Sequence, residues 1–205
     1  MQKILWALSL CLLTNLALAD ESATLHLREK LADMTSLAGD FSQTLYSREG
    51  ETLESSSGSF VLQRPGRFYW HTSEPFEQYL ISDQHTLWLY DPDLEQVTVR
   101  QVTEDIRKTP AMLLSDDVQS LTESFSIVYD ENQEAQIFTL TPHDGEDLFA
   151  SLQLIFRQDR LHQIEVNDGL HQRTVFALDN TTYNRPVDES KFTFVVPEGV
   201  DLLID

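Results

Sequence analysis

Residues 60–70 read FVLQRPGRFYW and combine a strand pattern with a proline–glycine turn. Successive side chains of a strand point to opposite sides, so alternate residues before the turn share one face, and the aromatic residues after the turn rejoin it. That face is predicted to carry the guanidinium of Arg64 and four large apolar groups. These apolar groups are Phe60, Leu62, Phe68 and Trp70.

The pattern alone leaves two interpretations of Arg64 open. In the first, the side chain leaves the end of the strand and reaches solvent. In the second, it points into a cavity lined by the apolar face. There it needs hydrogen-bond acceptors, because a buried unpaired charge is very costly. Backbone carbonyls at the C-terminal end of a helix would supply them.

Short segments of strand character lie on both sides of this stretch, separated by turn signals every 8–12 residues or so, a spacing typical of antiparallel all-β folds. The polar stretch 49–58 is predicted to be one of the turns. Together the segments predict a mainly β domain of about eleven strands. They are residues 41–48, 59–63, 67–72, 78–82, 86–90, 96–102, 124–130, 135–141, 150–158, 161–166 and 173–178.

Helices are expected at two places. Leu27, Leu31, Met34 and Leu37 recur at helical spacing and predict an amphipathic helix from Thr24 to Leu37, which Gly39 could end. Residues 104–123 interrupt the strand rhythm. In them, the run 109–114 has proline in its first turn and predicts a short helix, and 116–120 predicts a second.

Residues 1–19 have the form of a secretory signal peptide. Lys3 precedes an apolar run of ten residues, and Ala17-Leu18-Ala19 gives a small-x-small cleavage pattern, so we expect a mature domain of residues 20–205. An uncleaved N-terminal anchor is the alternative. The single cysteine, Cys11, follows Leu10 rather than the small residue of a lipobox, so it is not expected to carry lipid. The domain is then free of cysteine, without disulfides or thiol catalysis.

Composition restricts the partners. The chain has 205 residues, of which 34 are Asp or Glu and only 14 are Lys or Arg, giving a formal charge of −20. A nucleic-acid binder needs a basic surface, and anionic lipid repels carboxylates, so both are disfavoured as partners. The apolar fraction of 41% is enough for a packed core and argues against disorder.

A search for catalytic and metal motifs gives little. The six histidines form no zinc-binding spacing, and neither a nucleophile elbow nor a phosphate-binding glycine loop occurs. Residues 91–95, DPDLE, resemble the start of a calcium loop, but Glu95 and Gln96 stand where such a loop has Asp or Asn and then Gly, so a hairpin turn is the preferred interpretation. We therefore expect no enzyme activity, no metal and no cofactor.

The order and spacing of several short motifs resemble the LolA family of periplasmic outer-membrane lipoprotein carriers. The resemblance covers most of the domain. After Asp117 it lies in the pattern of predicted strands more than in short motifs. The matching stretches are FSQT (41–44), QRPGRFYWH (63–71), SD (82–83), TLWLYDP (86–92), EQ (95–96) and TPAMLL (109–114).

This resemblance implies an incomplete antiparallel β-barrel covered by short helices, and a periplasmic chaperone that carries lipoproteins by their acyl chains. It also implies an inner-membrane ABC-type transporter as donor and the receptor LolB as acceptor. We expect the carrier to be a monomer. The family's functional arginine maps to Arg64, whose implied lid partners are Leu31, Leu114 and Ser115. The implied acyl-chain cavity comprises Phe60, Leu62, Phe68, Trp70, Met112 and Leu113.

A second function remains open from the sequence. A periplasmic regulatory module with the same fold could sense mislocalised lipid or lipoprotein instead of carrying it. Such sensors usually have a second domain, for which this chain leaves little room.

Overall fold

The computed structural model describes residues 14–103, 114, 115, 118–143 and 149–204, and the side chains of these residues except 14–20, 120 and 121. The described part contains two α-helices, α1 (Thr14–Ala32) and α2 (Val118–Ser124), and one 3₁₀ helix, Glu189–Phe192. Neither α-helix has the length and apolar character that crossing a bilayer requires.

Twelve strands form a single open sheet that does not close on itself. The first six are β1 (Ser36–Tyr46), β2 (Thr52–Gln63), β3 (Arg67–Glu74), β4 (Gln78–Asp83), β5 (Thr86–Asp91) and β6 (Gln96–Gln101). The others are β7 (Phe125–Glu131), β8 (Gln136–Pro142), β9 (Ser151–Arg157), β10 (Arg160–Asn167), β11 (Arg173–Tyr183) and β12 (Asp201–Ile204).

The strand order is β12-β6-β5-β4-β3-β2-β1-β11-β10-β9-β8-β7. Neighbours are antiparallel, except that β12 runs parallel to β6. The sheet is strongly curved. Three strand steps separate β3 from β11, about 14 Å along a flat sheet, yet the rings of Trp70 and Phe176 lie 5.6 Å apart across the concave side. The predicted class, an incomplete barrel with a helical cover, is confirmed.

The main core fills the concave side of the sheet. Ala23, Leu27 and Leu31 form the buried stripe of α1 and pack with apolar side chains of the sheet. A smaller core lies on the convex side, where the 3₁₀ helix packs on β3 and β4. Phe192 is buried there, and the Lys191 ammonium lies 4.5 Å from the centre of the Tyr69 ring.

Three boundary predictions were wrong. The first helix ends at Ala32, not Leu37, and it begins before Thr24, at Thr14. Leu37 is buried as predicted, but it lies in β1. Gly39 also lies in β1, so it does not end the helix. A helical repeat and a strand alternation both bury residue 37, which is why spacing could not locate the boundary.

Two strands were missed in whole or part. Residues 52–58, predicted as a turn, belong to β2, because pairing with β1 on one side and β3 on the other outweighs their low strand propensity. The C-terminal strand β12 makes the count twelve rather than eleven. The predicted helix 109–114 falls outside the described residues except for Leu114, and the second insertion helix is observed as α2, a few residues later.

Candidate functional site

The turn between β2 and β3 positions Arg64. Gly66 has a φ of +68°, and a Cβ added there would lie 2.8 Å from Cγ of Gln84, so this position favours glycine on two grounds. The Gly66 amide donates to the carbonyl of Ser115 at 2.6 Å, and the Arg64 amide donates to the carbonyl of Thr35 at 2.9 Å. The turn is therefore bonded to two segments that cover the concave face, the one containing Ser115 and the one that follows α1 at Thr35.

The Arg64 guanidinium bonds to backbone carbonyls of two separate segments. Its Nη1 donates to the carbonyl of Leu31, in the last turn of α1, at 2.7 Å and to that of Met34, two residues beyond the helix, at 3.3 Å. Its Nε donates to Leu114 at 3.1 Å. The last carbonyls of a helix have no partner within the helix and carry partial negative charge, so a cation is well placed there. Of the two interpretations open from the sequence, the geometry matches the inward one.

The residues that the family resemblance implied as Arg64 partners lie together. Leu31, Leu114 and Ser115 are all buried. The Leu31 and Leu114 carbonyls accept from the Arg64 side chain, and the Ser115 carbonyl accepts from the Gly66 amide in the same turn. The hydrogen bond from Arg64 to the Met34 carbonyl was not predicted, because the helix was expected to continue past Met34.

The helix α1 is also fixed by partly buried side chains beside its apolar stripe. Lys30 Nζ donates to Asp159 Oδ1 at 2.8 Å and lies 5.1 Å from the centre of the Phe156 ring. The hydrogen bond and charge of Lys30 lower the pKa of Asp159 from its ordinary value. The His26 ring packs edge-on against Tyr129 at 4.5 Å. These contacts hold α1 over the concave face of the sheet.

The connection from α1 to β1 is held by Asn184, which follows β11. Its Oδ1 accepts from the Thr35 amide at 2.8 Å, from the Thr35 hydroxyl at 3.0 Å and from the Ser36 amide at 3.3 Å. Its Nδ2 donates to the carbonyl of Asp33 at 2.7 Å. One side chain thus binds this connection on both sides of Met34, whose carbonyl accepts from Arg64. Sequence reasoning missed it, since an isolated Asn carries no pattern.

An apolar cavity of about 200 Å³ lies on the concave face of the sheet, and Leu114 is the only described residue outside the strands that lines it. Phe60, Leu62, Phe68 and Trp70 all line it, whereas Met112 and Leu113 lie outside the described residues. The other lining residues, none of them suggested for the cavity by the sequence, are Gln43, Thr72, Gln78, Leu80, Leu114, Ile164, Phe176 and Leu178. Leu80 could have been found by pairing β4 with β3, but the residues of β10 and β11 depend on long-range pairing.

Trp70 is the centre of the aromatic wall of this cavity. Its ring stacks on Phe41 at 4.0 Å, on Phe60 at 5.5 Å and on Phe68 at 5.8 Å. Such a wall offers contact area and almost no hydrogen-bonding capacity, so it suits an alkyl ligand better than a polar one. Within the described parts of the chain, no group of three or more His, Cys, Asp or Glu could hold a metal ion.

Comparison with known proteins gives one consistent family. The family described as "Outer membrane lipoprotein carrier protein LolA" matches this chain over residues 32–195. An "Outer-membrane lipoprotein carrier protein" of Chromohalobacter salexigens is 37% identical over 206 residues, covering 99% of this chain and 98% of that protein. A protein of the same name from Pseudomonas paraeruginosa is 40% identical over 202 residues, covering 98% and 97%.

Solved structures agree on the fold. An uncharacterized conserved protein from Thermus thermophilus superposes with a TM-score of 0.55, covering 90% of this chain and 99% of that one. The two are only 11% identical, so this likeness concerns the fold alone.

Proposed function

The chain belongs to the LolA family of outer membrane lipoprotein carrier proteins, and from this premise we propose that it carries lipoproteins across the periplasm by enclosing their acyl chains. The observation that supports this most directly is the apolar cavity beneath a cover whose helix end is bonded to Arg64. The function is that of a chaperone and needs no chemical step.

The energetics explain why an enclosed cavity is needed. Transfer of one CH₂ from water to an apolar site is worth about 0.8 kcal/mol, so a chain of about 16 carbons gains on the order of 12 kcal/mol. A lipoprotein with several such chains does not leave a bilayer unaided. A carrier that displayed an equally apolar surface when empty would aggregate. The apolar surface of the cavity must therefore be covered when the carrier is empty and must become accessible when cargo enters.

The size of the cavity implies that the cover moves. About 200 Å³ is available, whereas pockets that bury a drug-sized ligand have about 300–1,000 Å³. Filling the cavity with acyl chains therefore has to enlarge it by displacing the cover, which breaks the bonds between Arg64 and the carbonyls of Leu31 and Leu114. Those lost bonds make binding weaker than burial alone would give, which permits release.

The cellular setting follows from the same role. The protein takes cargo from an ABC-type transporter of the inner membrane and delivers it to the outer-membrane receptor LolB, acting as a monomer in the periplasm. Residues 1–19 serve as the signal peptide that directs export. The alternative of a lipid-sensing regulatory module has less support, because the relatives named as carriers are matched over at least 97% of their own length.

A release assay tests the proposal. Membranes that hold radiolabelled lipoprotein and the transporter are mixed with purified protein and ATP, and soluble label is measured after sedimentation. Label should appear in the supernatant, bound to the protein, only with ATP. Failure of any label to leave the membrane in the complete mixture would refute the carrier function.

A pair of variants links the assay to the cavity. Leu80→Trp places a larger ring in the cavity and should reduce soluble label strongly. Leu170→Trp adds the same ring at a side chain that is 74% exposed and lines no part of the cavity, so it should release label normally. Equal release by the two variants would mean that cargo binds elsewhere.

A further inference from the structure

The concave face changes from apolar to polar in regular steps along the strands. Strand pairing sets Trp70 opposite both Phe60 and Leu80, and these three side chains line the apolar cavity. Two residues further along β3, on the same face, Thr72 lies opposite Gln78 of β4. The polar row therefore begins directly where the apolar row ends.

The neighbouring strand β1 shows the same change at the same level. Phe41, which stacks on Trp70, is followed on that face by Gln43. Gln43, Thr72 and Gln78 all line the edge of the apolar cavity, and we call them the polar collar. None of their side chains makes a hydrogen bond to another described residue of the chain, so their donors and acceptors are available to a ligand.

A second hollow of about 460 Å³ lies on the other side of the polar collar, and the three collar residues line it as well. This outer hollow is open to solvent and contains the exposed side chains of Phe76 and Leu94. The molecule therefore presents, in order, an apolar cavity, three polar side chains and a wide solvated mouth.

We propose that the polar collar is a subsite for the ester and amide groups that join acyl chains to the head of the cargo. This rests on the proposed function, since it takes the apolar cavity to hold the chains. A diacylglyceryl ligand has the same polarity sequence, with alkyl chains, then ester carbonyls, then a solvated head. The amide N–H groups of Gln43 and Gln78 and the Thr72 hydroxyl donate to those carbonyls and set how deep the chains enter.

Diacylglyceryl esters occur in both lipoproteins and phospholipids, so the outer hollow has to discriminate between them. It is lined by three carboxylates, those of Glu54, Asp91 and Asp93, and by no Lys or Arg among the described residues. A phosphodiester head would be placed among these negative charges, whereas the head of a lipoprotein carries no phosphate. The polar collar thus accepts the ester groups of both lipids, and the carboxylates disfavour the phospholipid.

The test compares three synthetic probes with 16-carbon chains. They are a diacylglyceryl lipopeptide with ester links, the same lipopeptide with ether links, and phosphatidylglycerol. The ether version keeps the chains and loses the carbonyl acceptors. Binding is measured by competition against a radiolabelled lipopeptide, with wild-type protein, Gln43→Leu, Gln78→Leu and Thr72→Val. Gln101→Leu is the matched control, an exposed glutamine at the end of β6 that lines none of these hollows.

Wild-type protein and Gln101→Leu should prefer the ester lipopeptide by about 3- to 10-fold for each hydrogen bond made. Each collar variant should lower that preference by about 3- to 10-fold, because it removes one hydrogen bond, while binding the ether lipopeptide as well as wild type does. Phosphatidylglycerol should bind more weakly than the ester lipopeptide and should gain affinity in Glu54→Gln and Asp93→Asn.

Other outcomes are equally informative. Equal binding of ester and ether lipopeptides by wild type, or a preference as large as that of wild type in all three collar variants, overturns the subsite and leaves the carrier function intact. Absence of binding to either lipopeptide contradicts the carrier function itself. Phosphatidylglycerol bound as tightly as the ester lipopeptide overturns the role of the carboxylates.

Discussion

The carbonyl of Leu31 accepts two hydrogen bonds, one from the Met34 amide at 3.1 Å and one from Arg64 Nη1 at 2.7 Å. The first is a local turn at the end of α1, and the second joins that helix end to the sheet. A hydrogen bond to a charged donor is worth about 1.5–3 kcal/mol. The Arg64 side chain thus joins the helix end to the sheet through bonds that can be broken and remade without unfolding either element, as the proposed opening of the cover requires.

Arg64→Leu should slow transfer of cargo from the carrier to the receptor. In wild type, closing restores the bonds from Arg64 to the carbonyls of Leu31 and Leu114, and this gain favours release of cargo. Arg64→Leu removes the gain, so loaded protein has less tendency to close and expel its cargo. Loss of about 1.5–3 kcal/mol corresponds to a rate reduction of about 10- to 150-fold. The measurement is the rate at which bound lipoprotein moves from purified carrier to receptor. Transfer by Arg64→Leu at the native rate would contradict this role.

Two further variants separate charge from position. Arg64→Lys keeps the charge but not the planar set of donors, so its transfer rate should be intermediate. Arg67→Leu is the matched control, since Arg67 begins the next strand and contacts Gln63 and Glu189 rather than the cover. It should transfer cargo at the native rate.

The sequence predicted the aromatic wall because alternation within one strand is a local property. Phe60, Leu62, Phe68 and Trp70 share a face for that reason alone, and all four line the cavity. The opposite wall was not predictable. Phe176 reaches it only because β11 pairs with β1, a contact between segments more than 100 residues apart that no local pattern encodes.

Polar residues in strands, like long-range strand pairing, limited what the sequence could predict about the fold and the site. Residues 55–58, SSSG, have turn-like composition but lie in a strand bordered on both sides. The same composition hides the polar collar, because an isolated Gln or Thr in an alternating segment is usually a solvent-facing position. Its inward direction appears only when the register with the neighbouring strands is known.

Gly58→Ala should destabilise the protein by about 1–3 kcal/mol through overpacking. A Cβ at this position would overlap the backbone carbonyl of His71 and lie 2.9 Å from Cε1 of Phe41, so the strand cannot accept it without shifting. The measurement is the free energy of unfolding in urea. Gly169→Ala is the control, because no heavy atom lies within 4 Å of its added Cβ. A loss as small for Gly58→Ala as for Gly169→Ala would contradict this close approach.

Asn184→Ala should loosen the connection between α1 and β1 and lower the free energy of unfolding by about 1–2 kcal/mol. The amides of Thr35 and Ser36 lose their acceptor, so their hydrogen exchange should accelerate more than that of amides in the middle of β1. Cargo transfer should also slow, because the carbonyl of Met34, within this connection, accepts from Arg64.

Asn180→Ala is the control for this effect. Asn180 lies near Asn184 in the chain and shares its positive φ, but its side chain bonds the exposed carboxylate of Asp40, at 2.7 Å, rather than the connection. It should leave exchange at Thr35 and Ser36 unchanged. Equal acceleration in the two variants would show that Asn184 has no special role in holding the cover.

The attachment of α1 should weaken in acid through Asp159. The hydrogen bond from Lys30, followed by the charge of Lys30, lowers the pKa of this carboxyl below its ordinary value of 3.8, against a small opposing effect of burial. A carboxyl with a lowered folded-state pKa stabilises the fold fully above its unfolded-state pKa, and loses that contribution as pH falls through the lower folded-state pKa. Asp159→Asn should therefore melt below wild type at neutral pH and match it at strongly acidic pH.

The measurement is the difference in Tm between the two proteins across that range at low salt, since an exposed pair is screened. Lys30→Met, which keeps the packing on Phe156, should give the same profile, and a Tm difference for Asp159→Asn that stays constant down to the lowest pH would assign its effect to something other than this ion pair.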